Sequence, residues 1–134
     1  MAGSGKSAGQ PAAGAPRVLV VEDEALVVLA LKDQLQSFGC EVVGSVPDAD
    51  SAIELARSLR PDVVVMDLGL AGSSGTKAIR TITTETKARV VVVTAYGGKR
   101  AREAEQAGAF TVLRKPVMAA QLGQAITEAY GGTV

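Results

Sequence analysis

The sequence predicts an α/β fold in which one doubly wound, five-stranded parallel sheet carries helices on both faces. Short apolar runs alternate with longer amphipathic stretches along the chain. The run VVVM at 63–66 is apolar at every residue, a pattern typical of strands that are buried on both faces. Parallel neighbours need crossover connections, and helices between successive strands supply them, so the alternation favours a parallel sheet covered on both sides.

Length and composition limit the size and kind of core. The 134 residues suffice for one domain, and 47% of them are hydrophobic while only 3% are aromatic. We therefore expect a core of Val, Leu, Ile and Ala. The first 16 residues are rich in Gly, Ala, Ser and Pro, so we expect a disordered leader over 1–16, one domain over 17–130 and a tail over 131–134.

Charge and cysteine content argue against several classes of partner. Lys plus Arg equals Asp plus Glu at 14 each, and this balance gives no general attraction to nucleic acid or to an anionic membrane. No apolar stretch of the sequence approaches the roughly 20 residues of a membrane span. The single cysteine, Cys40, cannot form an internal disulfide, which is compatible with a cytoplasmic location.

The first half of the domain contains three predicted strands and two predicted helices. They are a strand over 17–21, a helix over 25–39, a strand over 40–46, a helix over 48–60 and a strand over 62–66. Gly39 ends the first helix, and Asp48 or Asp50 caps the second, which closes before Pro61. The predicted buried face of the first helix consists of Leu26, Leu29, Leu35 and Phe38.

The second half continues the alternation with three helices and two strands. They are a helix over about 76–84, a strand over 88–94, a helix over 99–108, a strand over 110–114 and a helix over 118–130. Five strands thus alternate with five helices.

Polar side chains lie where four of the predicted strands end. Glu22 and Asp23 follow the first strand, and Asp67 follows the third. Thr94 ends the fourth strand, and Lys115 follows the fifth. The carboxyl ends of parallel strands share one edge of the sheet, and ligands bind there where the strand order reverses. We therefore expect these five side chains to converge on one crevice.

The converging carboxylates predict a bound metal ion. Three carboxylates in one crevice repel one another unless a cation compensates them. Oxygen ligands without Cys or His indicate Mg²⁺ or Mn²⁺ rather than zinc. Three carboxylates, one lysine and one divalent cation sum to zero charge, so the crevice could receive an anionic phosphoryl group. The sequence contains no histidine, so chemistry that needs an imidazole must use one from another molecule.

Four motifs carry a resemblance to a known family. In order they are VLVVEDE, VVVMDLGLAGSSG, VVVTAYGG and GAFTVLRKP. Over residues 17–130 the chain resembles a response-regulator receiver domain, the phosphoacceptor of two-component signalling, which has a flavodoxin-like architecture. The resemblance implies that Asp67 attacks a phosphohistidine of a sensor histidine kinase or histidine phosphotransferase and becomes an aspartyl phosphate. Lys115 would pair with one phosphoryl oxygen, and the Thr94 hydroxyl would hydrogen-bond another.

The resemblance also implies a ligand set for the metal. Asp23 would bind Mg²⁺ (or Mn²⁺) directly, Glu22 would bind it through water, and Asp67 and the main-chain carbonyl of Gly69 would complete the protein ligands. Such a domain promotes its own phosphorylation and slow dephosphorylation, and its output passes to a downstream protein target.

One departure from the family pattern concerns the aromatic residue whose ring changes position when the domain is phosphorylated. The family's switch aromatic lies three residues before the lysine, where this chain has Val112, and Phe110 lies two residues earlier. We therefore expect the conformational shift to be carried by the loop over 94–99, with Tyr96 as the ring that changes its environment. The expected partner surface, weakly basic and suited to an acidic protein, includes Lys99, Arg100 and Arg102.

Two alternative functions are compatible with the same α/β fold. A flavin binder of the same fold would carry a phosphate-binding loop after the first strand, where Glu22, Asp23 and Glu24 would repel phosphate. The alternative that stays open is a non-phosphorylated pseudo-receiver that acts only as a protein-interaction module. Only four residues follow the last predicted helix. We therefore expect the output to lie in another protein, or the domain to be cut from a longer chain.

Overall fold

The computed structural model describes residues 14–70 and 75–131, which form one five-stranded parallel sheet flanked by five helices. This arrangement confirms the predicted α/β fold class. Residues 1–13 of the expected leader, residues 71–74 and residues 132–134 of the expected tail lie outside the described residues. In chain order the elements are β1 (Arg17–Val21), α1 (Ala25–Ser37), β2 (Glu41–Val46), α2 (Ala49–Leu59), β3 (Val63–Met66), α3 (Gly75–Glu85), β4 (Arg89–Thr94), α4 (Gly98–Ala107), β5 (Thr111–Arg114) and α5 (Ala119–Tyr130).

The strand order β2-β1-β3-β4-β5 places β1 and β3 side by side in the sheet. Their register pairs Val21 with Met66, so Glu22 and Asp67, which follow them, emerge next to each other. The Asp67 N–H group donates a hydrogen bond to the Val21 carbonyl at 3.1 Å. The strand order reverses between β1 and β3, which is the point where open α/β sheets bind ligands.

Strands β4 and β5 bring two more predicted site residues to the same edge. Their register pairs Thr94 with Arg114, the last residue of β5. The Lys115 N–H group then donates a hydrogen bond to the Thr94 carbonyl at 2.8 Å. The carboxyl edge of the sheet therefore carries polar residues from β1, β3, β4 and β5.

Two apolar clusters, one on each face of the sheet, form the core. One cluster lies under α2, α3 and α4, and the other lies under α1 and α5. In β1, Val20 packs toward α1 and α5, whereas Leu19 and Val21 pack toward the other three helices. Among the described residues, the largest fully buried side chains are Leu, Met, Ile and Val. The low aromatic content therefore corresponds to an aliphatic core that is covered on both sides.

The predicted buried face of α1 is wrong at three of its four residues, since Leu35 alone of the four is buried. Leu26 is 80% exposed, Leu29 is 61% exposed, and Phe38, just beyond the helix, is 40% exposed. The buried residues of α1 are Leu31 and Leu35, which lie one turn apart on the same face. The first two turns of α1 are apolar in every direction, so the sequence periodicity did not select a face.

Helices α2 and α3 show how local polar groups support the fold. The Asp48 Oδ1 atom accepts a hydrogen bond from the Ser51 N–H group at 2.8 Å, so Asp48 is the cap of α2. The threonines of α3 are compatible with a helix, and the Thr83 hydroxyl donates a hydrogen bond to the Ile79 carbonyl, one turn earlier, at 2.8 Å. No helix within 14–70 and 75–131 is long and apolar enough to cross a bilayer.

Candidate functional site

Three carboxylates meet at the carboxyl ends of β1 and β3. Glu22, Asp23 and Asp67 each present an oxygen atom, and these atoms lie within 4.8 Å of one another. The adjacency follows from the fold, because β1 and β3 are neighbours and end in register. The convergence that the strand ends predict is thus present for these three residues.

Glu22 is the most deeply buried carboxylate of the three. Its side chain is 1% exposed, and its Oε2 atom accepts a hydrogen bond from the Glu24 N–H group at 3.1 Å. Burial raises the pKa of Glu22, and repulsion from Asp67 adds to that rise, while the Glu24 N–H group and Lys115 oppose it. On balance the pKa of Glu22 is raised, so burial disfavours the charged form of this carboxyl group.

Lys115 is the ammonium group of the crevice. Its Nζ atom lies 3.5 Å from Glu22 Oε1 and 3.3 Å from Asp67 Oδ2. Partial burial acts to lower the pKa of Lys115, but the charges and hydrogen bonds of Asp67 and Glu22 outweigh it and raise that pKa. The lysine precedes a cis peptide bond to Pro116. The raised pKa keeps Lys115 protonated, and its charge links the carboxylates that follow β1 and β3.

The Asp67 side chain is held by hydrogen bonds and is still partly exposed to solvent. Its Oδ1 atom accepts a hydrogen bond from the Gly69 N–H group at 3.0 Å, while Oδ2 faces Lys115. The side chain is 11% exposed, whereas Thr94 on β4 is completely buried. The Asp67 carboxylate is thus held in one orientation while part of its side chain stays reachable from solvent.

The hydroxyl of Thr94 lies at the end of β4. Its Oγ1 atom accepts a hydrogen bond from the Tyr96 N–H group at 3.0 Å. This bond uses a lone pair of the hydroxyl and leaves its proton free to be donated. Thr94 is thereby tied to the start of the loop that leads into α4.

The donor set fits a hard divalent cation. Glu22, Asp23 and Asp67 provide only oxygen donors, and Lys115 compensates only part of their charge. Mg²⁺ and Mn²⁺ prefer such carboxylate oxygens and retain water at the remaining positions. The Gly69 carbonyl and the individual ligand roles stay predictions.

The structure adds contacts around Tyr96 that sequence reasoning missed. The guanidinium of Arg100 lies 4.1 Å from the centroid of the Tyr96 ring. An Nη2–H group of Arg100 also donates a hydrogen bond to the Leu68 carbonyl at 3.4 Å. Leu68 and Arg100 are 32 residues apart in the chain, so no local pattern could have shown this contact.

The remaining residues of the predicted switch lie at α4 and β5. Lys99 and Arg102 are exposed on α4, as is Arg100. Val112 is partly buried and packs against the cluster under α2, α3 and α4. The guanidinium of Arg114 lies over Gly97, so a side chain at Gly97 would displace the end of the Arg114 side chain.

Comparison with known proteins gives consistent results for family and fold. A family profile described as response regulator receiver domain matches residues 18–127. The transcriptional regulatory protein PdtaR of Mycobacterium tuberculosis is 39% identical over 111 residues, which cover 82% of this chain and 54% of PdtaR. The chain thus spans about half the length of that relative.

Two further comparisons extend over nearly whole partner chains. The chemotaxis protein CheY of Thermotoga maritima is 32% identical over 114 residues, which cover 84% of this chain and 95% of CheY. The crystal structure of the response regulator domain of Thermotoga maritima CheB superposes with a TM-score of 0.80 at 32% identity. That superposition covers 87% of this chain and 96% of the CheB domain.

Proposed function

This chain belongs to the response regulator receiver family, and we propose that it acts in two-component signalling as a phosphoacceptor whose nucleophile is Asp67. The donor is a phosphohistidine on a sensor histidine kinase or a histidine phosphotransferase. The observation that carries the proposal is the Asp67 carboxylate, which is held by the Gly69 N–H group and by Lys115 beside two further carboxylates. The absence of histidine from the sequence agrees with a donor imidazole that comes from the partner.

The chemical step needs positioning more than protein acid–base groups. A carboxylate oxygen of Asp67 forms a bond to phosphorus while the bond from phosphorus to the imidazole nitrogen of the donor breaks, and the imidazole leaves. Lys115 offsets the negative charge that the phosphoryl group brings to the crevice. Asp67 is oriented before the donor arrives, because one of its oxygens already accepts from Gly69.

A divalent cation fits this role. Asp23 would hold Mg²⁺ directly, Glu22 would hold it through water, and Asp67 and the Gly69 carbonyl would supply the other protein oxygens. When bound, the ion supplies positive charge for the phosphoryl oxygens. The three carboxylate oxygens within 4.8 Å of one another support a cation at this place, because a cation would relieve their mutual repulsion.

Thr94 is the residue that senses the new group. Its hydroxyl proton is donated to a phosphoryl oxygen while its lone pair keeps the Tyr96 N–H group. The signal then leaves through α4, whose exposed Lys99, Arg100 and Arg102 face a downstream protein target. A cytoplasmic location follows from this partnership, with neither nucleic acid nor a membrane as a direct partner.

Intact-mass measurement tests the proposal. The chain is incubated with acetyl phosphate and Mg²⁺, and we expect the mass to rise by one phosphoryl group. Asp67→Asn should abolish the gain, because an amide oxygen is a poor nucleophile. Asp33→Asn, an exposed aspartate of α1, should retain it.

Two results would contradict phosphorylation at Asp67. Undiminished phosphorylation of Asp67→Asn would place the acceptor elsewhere. A complete lack of phosphorylation with acetyl phosphate and with phosphorylated kinases would favour a pseudo-receiver that works only through protein contacts.

A further inference from the structure

Arg100 connects the phosphoacceptor loop to α4 through two contacts of its guanidinium. One is the hydrogen bond to the carbonyl of Leu68, the residue that directly follows Asp67, at 3.4 Å. The other is the stack on the Tyr96 ring at 4.1 Å. Arg100 belongs to the first turn of α4, so these contacts join that turn to the site.

The positive charge of Arg100 is electrostatically unfavourable in the first turn of α4. The first turn of a helix favours acidic side chains, because the unpaired N–H groups there carry partial positive charge. The first turn of α4 contains no acidic residue, and it includes Lys99 and Arg100. The Leu68 carbonyl and the Tyr96 ring are the groups that offset this cost for Arg100.

Helix α4 packs against the rest of the fold through its second half. Its buried residues are Ala104 and Ala107, both small and both in its second half. Its first turn follows Gly97 and begins at Gly98, which has a φ of 57°. The contacts of Arg100 therefore hold a turn of α4 that contributes no buried apolar residue.

The Tyr96 ring lies between Arg100 and the phosphoacceptor loop. A Cβ atom at Gly69 would lie 3.4 Å from Tyr96 Cε2 and 3.5 Å from the carboxylate oxygens of Asp67. The Tyr96 N–H group is bound to Thr94 Oγ1. A change at Asp67 or Thr94 thus reaches this ring directly, without an aromatic residue at Val112.

We infer that Arg100 is a positioning residue that couples the state of Asp67 to the placement of the first turn of α4. The inference rests on the proposed phosphorylation of Asp67. The neutral Leu68 carbonyl holds the guanidinium only through a long hydrogen bond. The charged oxygens of Asp67 already bind the Gly69 N–H group and Lys115. A phosphoryl group on Asp67 adds further charged acceptor oxygens, and charge-assisted hydrogen bonds are stronger. Phosphorylation therefore draws Arg100 away from Leu68, and the first turn of α4 moves with it.

Amide chemical shifts of the full chain test the coupling, with Mg²⁺ and beryllofluoride as the phosphoryl mimic. In the wild type we expect shifts at 67–70 and at 98–103. Arg100→Gln should keep the shifts at 67–70 and lose most of those at 98–103. Arg102→Gln, which removes an equal charge from an exposed residue of the same helix, should respond as the wild type does. Arg100→Lys keeps the charge and should restore part of the α4 response.

Tyrosine fluorescence provides an independent measurement of the contact between Arg100 and the Tyr96 ring. The chain has no tryptophan and two tyrosines, so Tyr130→Phe leaves Tyr96 as the reporter. In that background the mimic should change Tyr96 emission, because the guanidinium leaves the ring. The additional change Arg100→Gln should remove the response, whereas Arg102→Gln should leave it.

Two outcomes would overturn the inference, and they differ in meaning. An α4 response in Arg100→Gln equal to that in Arg102→Gln would refute the coupling and leave the phosphoacceptor function intact. A wild-type chain without any shift around Asp67 would refute the proposed function and this inference together.

Discussion

At the scale of single residues, the site is a balance between buried acids and one ammonium group. Glu22 is almost fully buried with a raised pKa, and Lys115 lies within 3.5 Å of it and within 3.3 Å of Asp67. Burying charges costs free energy that is recovered only where partners are close. The arrangement is therefore unfavourable for stability alone, and the proposed binding of a cation and a phosphoryl group would account for it.

Metal binding should distinguish the two acidic residues that follow β1. Asp23→Asn should weaken Mg²⁺ binding by at least about tenfold, because a direct oxygen ligand loses its charge. Glu22→Gln should weaken binding less if water separates Glu22 from the ion. Isothermal titration of both variants measures this difference. Glu24→Gln, an exposed acid of the same loop outside the cluster, is the charge-matched control. Unchanged affinity in both variants would mean that these acids serve only the start of α1.

At the scale of elements, the sequence predicts the positions of the helices and strands more accurately than it predicts which side of a helix is buried. The strand ends were predictable because apolar runs stop at polar residues, and parallel strands share one edge. The face of α1 was not, because its first two turns are apolar all round. The contact of Arg100 with Leu68 and Tyr96 was not predictable either, since it depends on side-chain placement between distant segments.

Two leucines of α1 test this correction. Leu35 is fully buried, so Leu35→Ala should lower the free energy of unfolding by about 2–5 kcal/mol. Leu29 is largely exposed, so Leu29→Ala should change it by less than about 0.5 kcal/mol. Urea unfolding followed by circular dichroism measures both. Equal losses in the two variants would restore the face predicted from the sequence.

At the scale of the whole molecule, the strand order determines where the site lies and places α4 next to it. The reversal between β1 and β3 gathers the acids, and β4 and β5 add Thr94 and Lys115 at the same edge. Helix α4 follows directly from β4 through Tyr96. A change at Asp67 therefore has a short route to the surface that carries Lys99, Arg100 and Arg102. The family relation supports a receiver role. The proposed phosphoryl transfer depends on Asp67.

Borohydride mapping of the phosphorylated chain tests the central claim most directly. Sodium borohydride reduces an aspartyl phosphate to homoserine with loss of phosphate, and peptide mass spectrometry then locates the modified residue. After treatment with a phosphodonor and Mg²⁺, we expect homoserine at position 67 and unchanged aspartate at positions 23 and 62. Homoserine at another aspartate, or phosphate retained on a hydroxyl residue, would contradict the assignment of Asp67 as the phosphoacceptor.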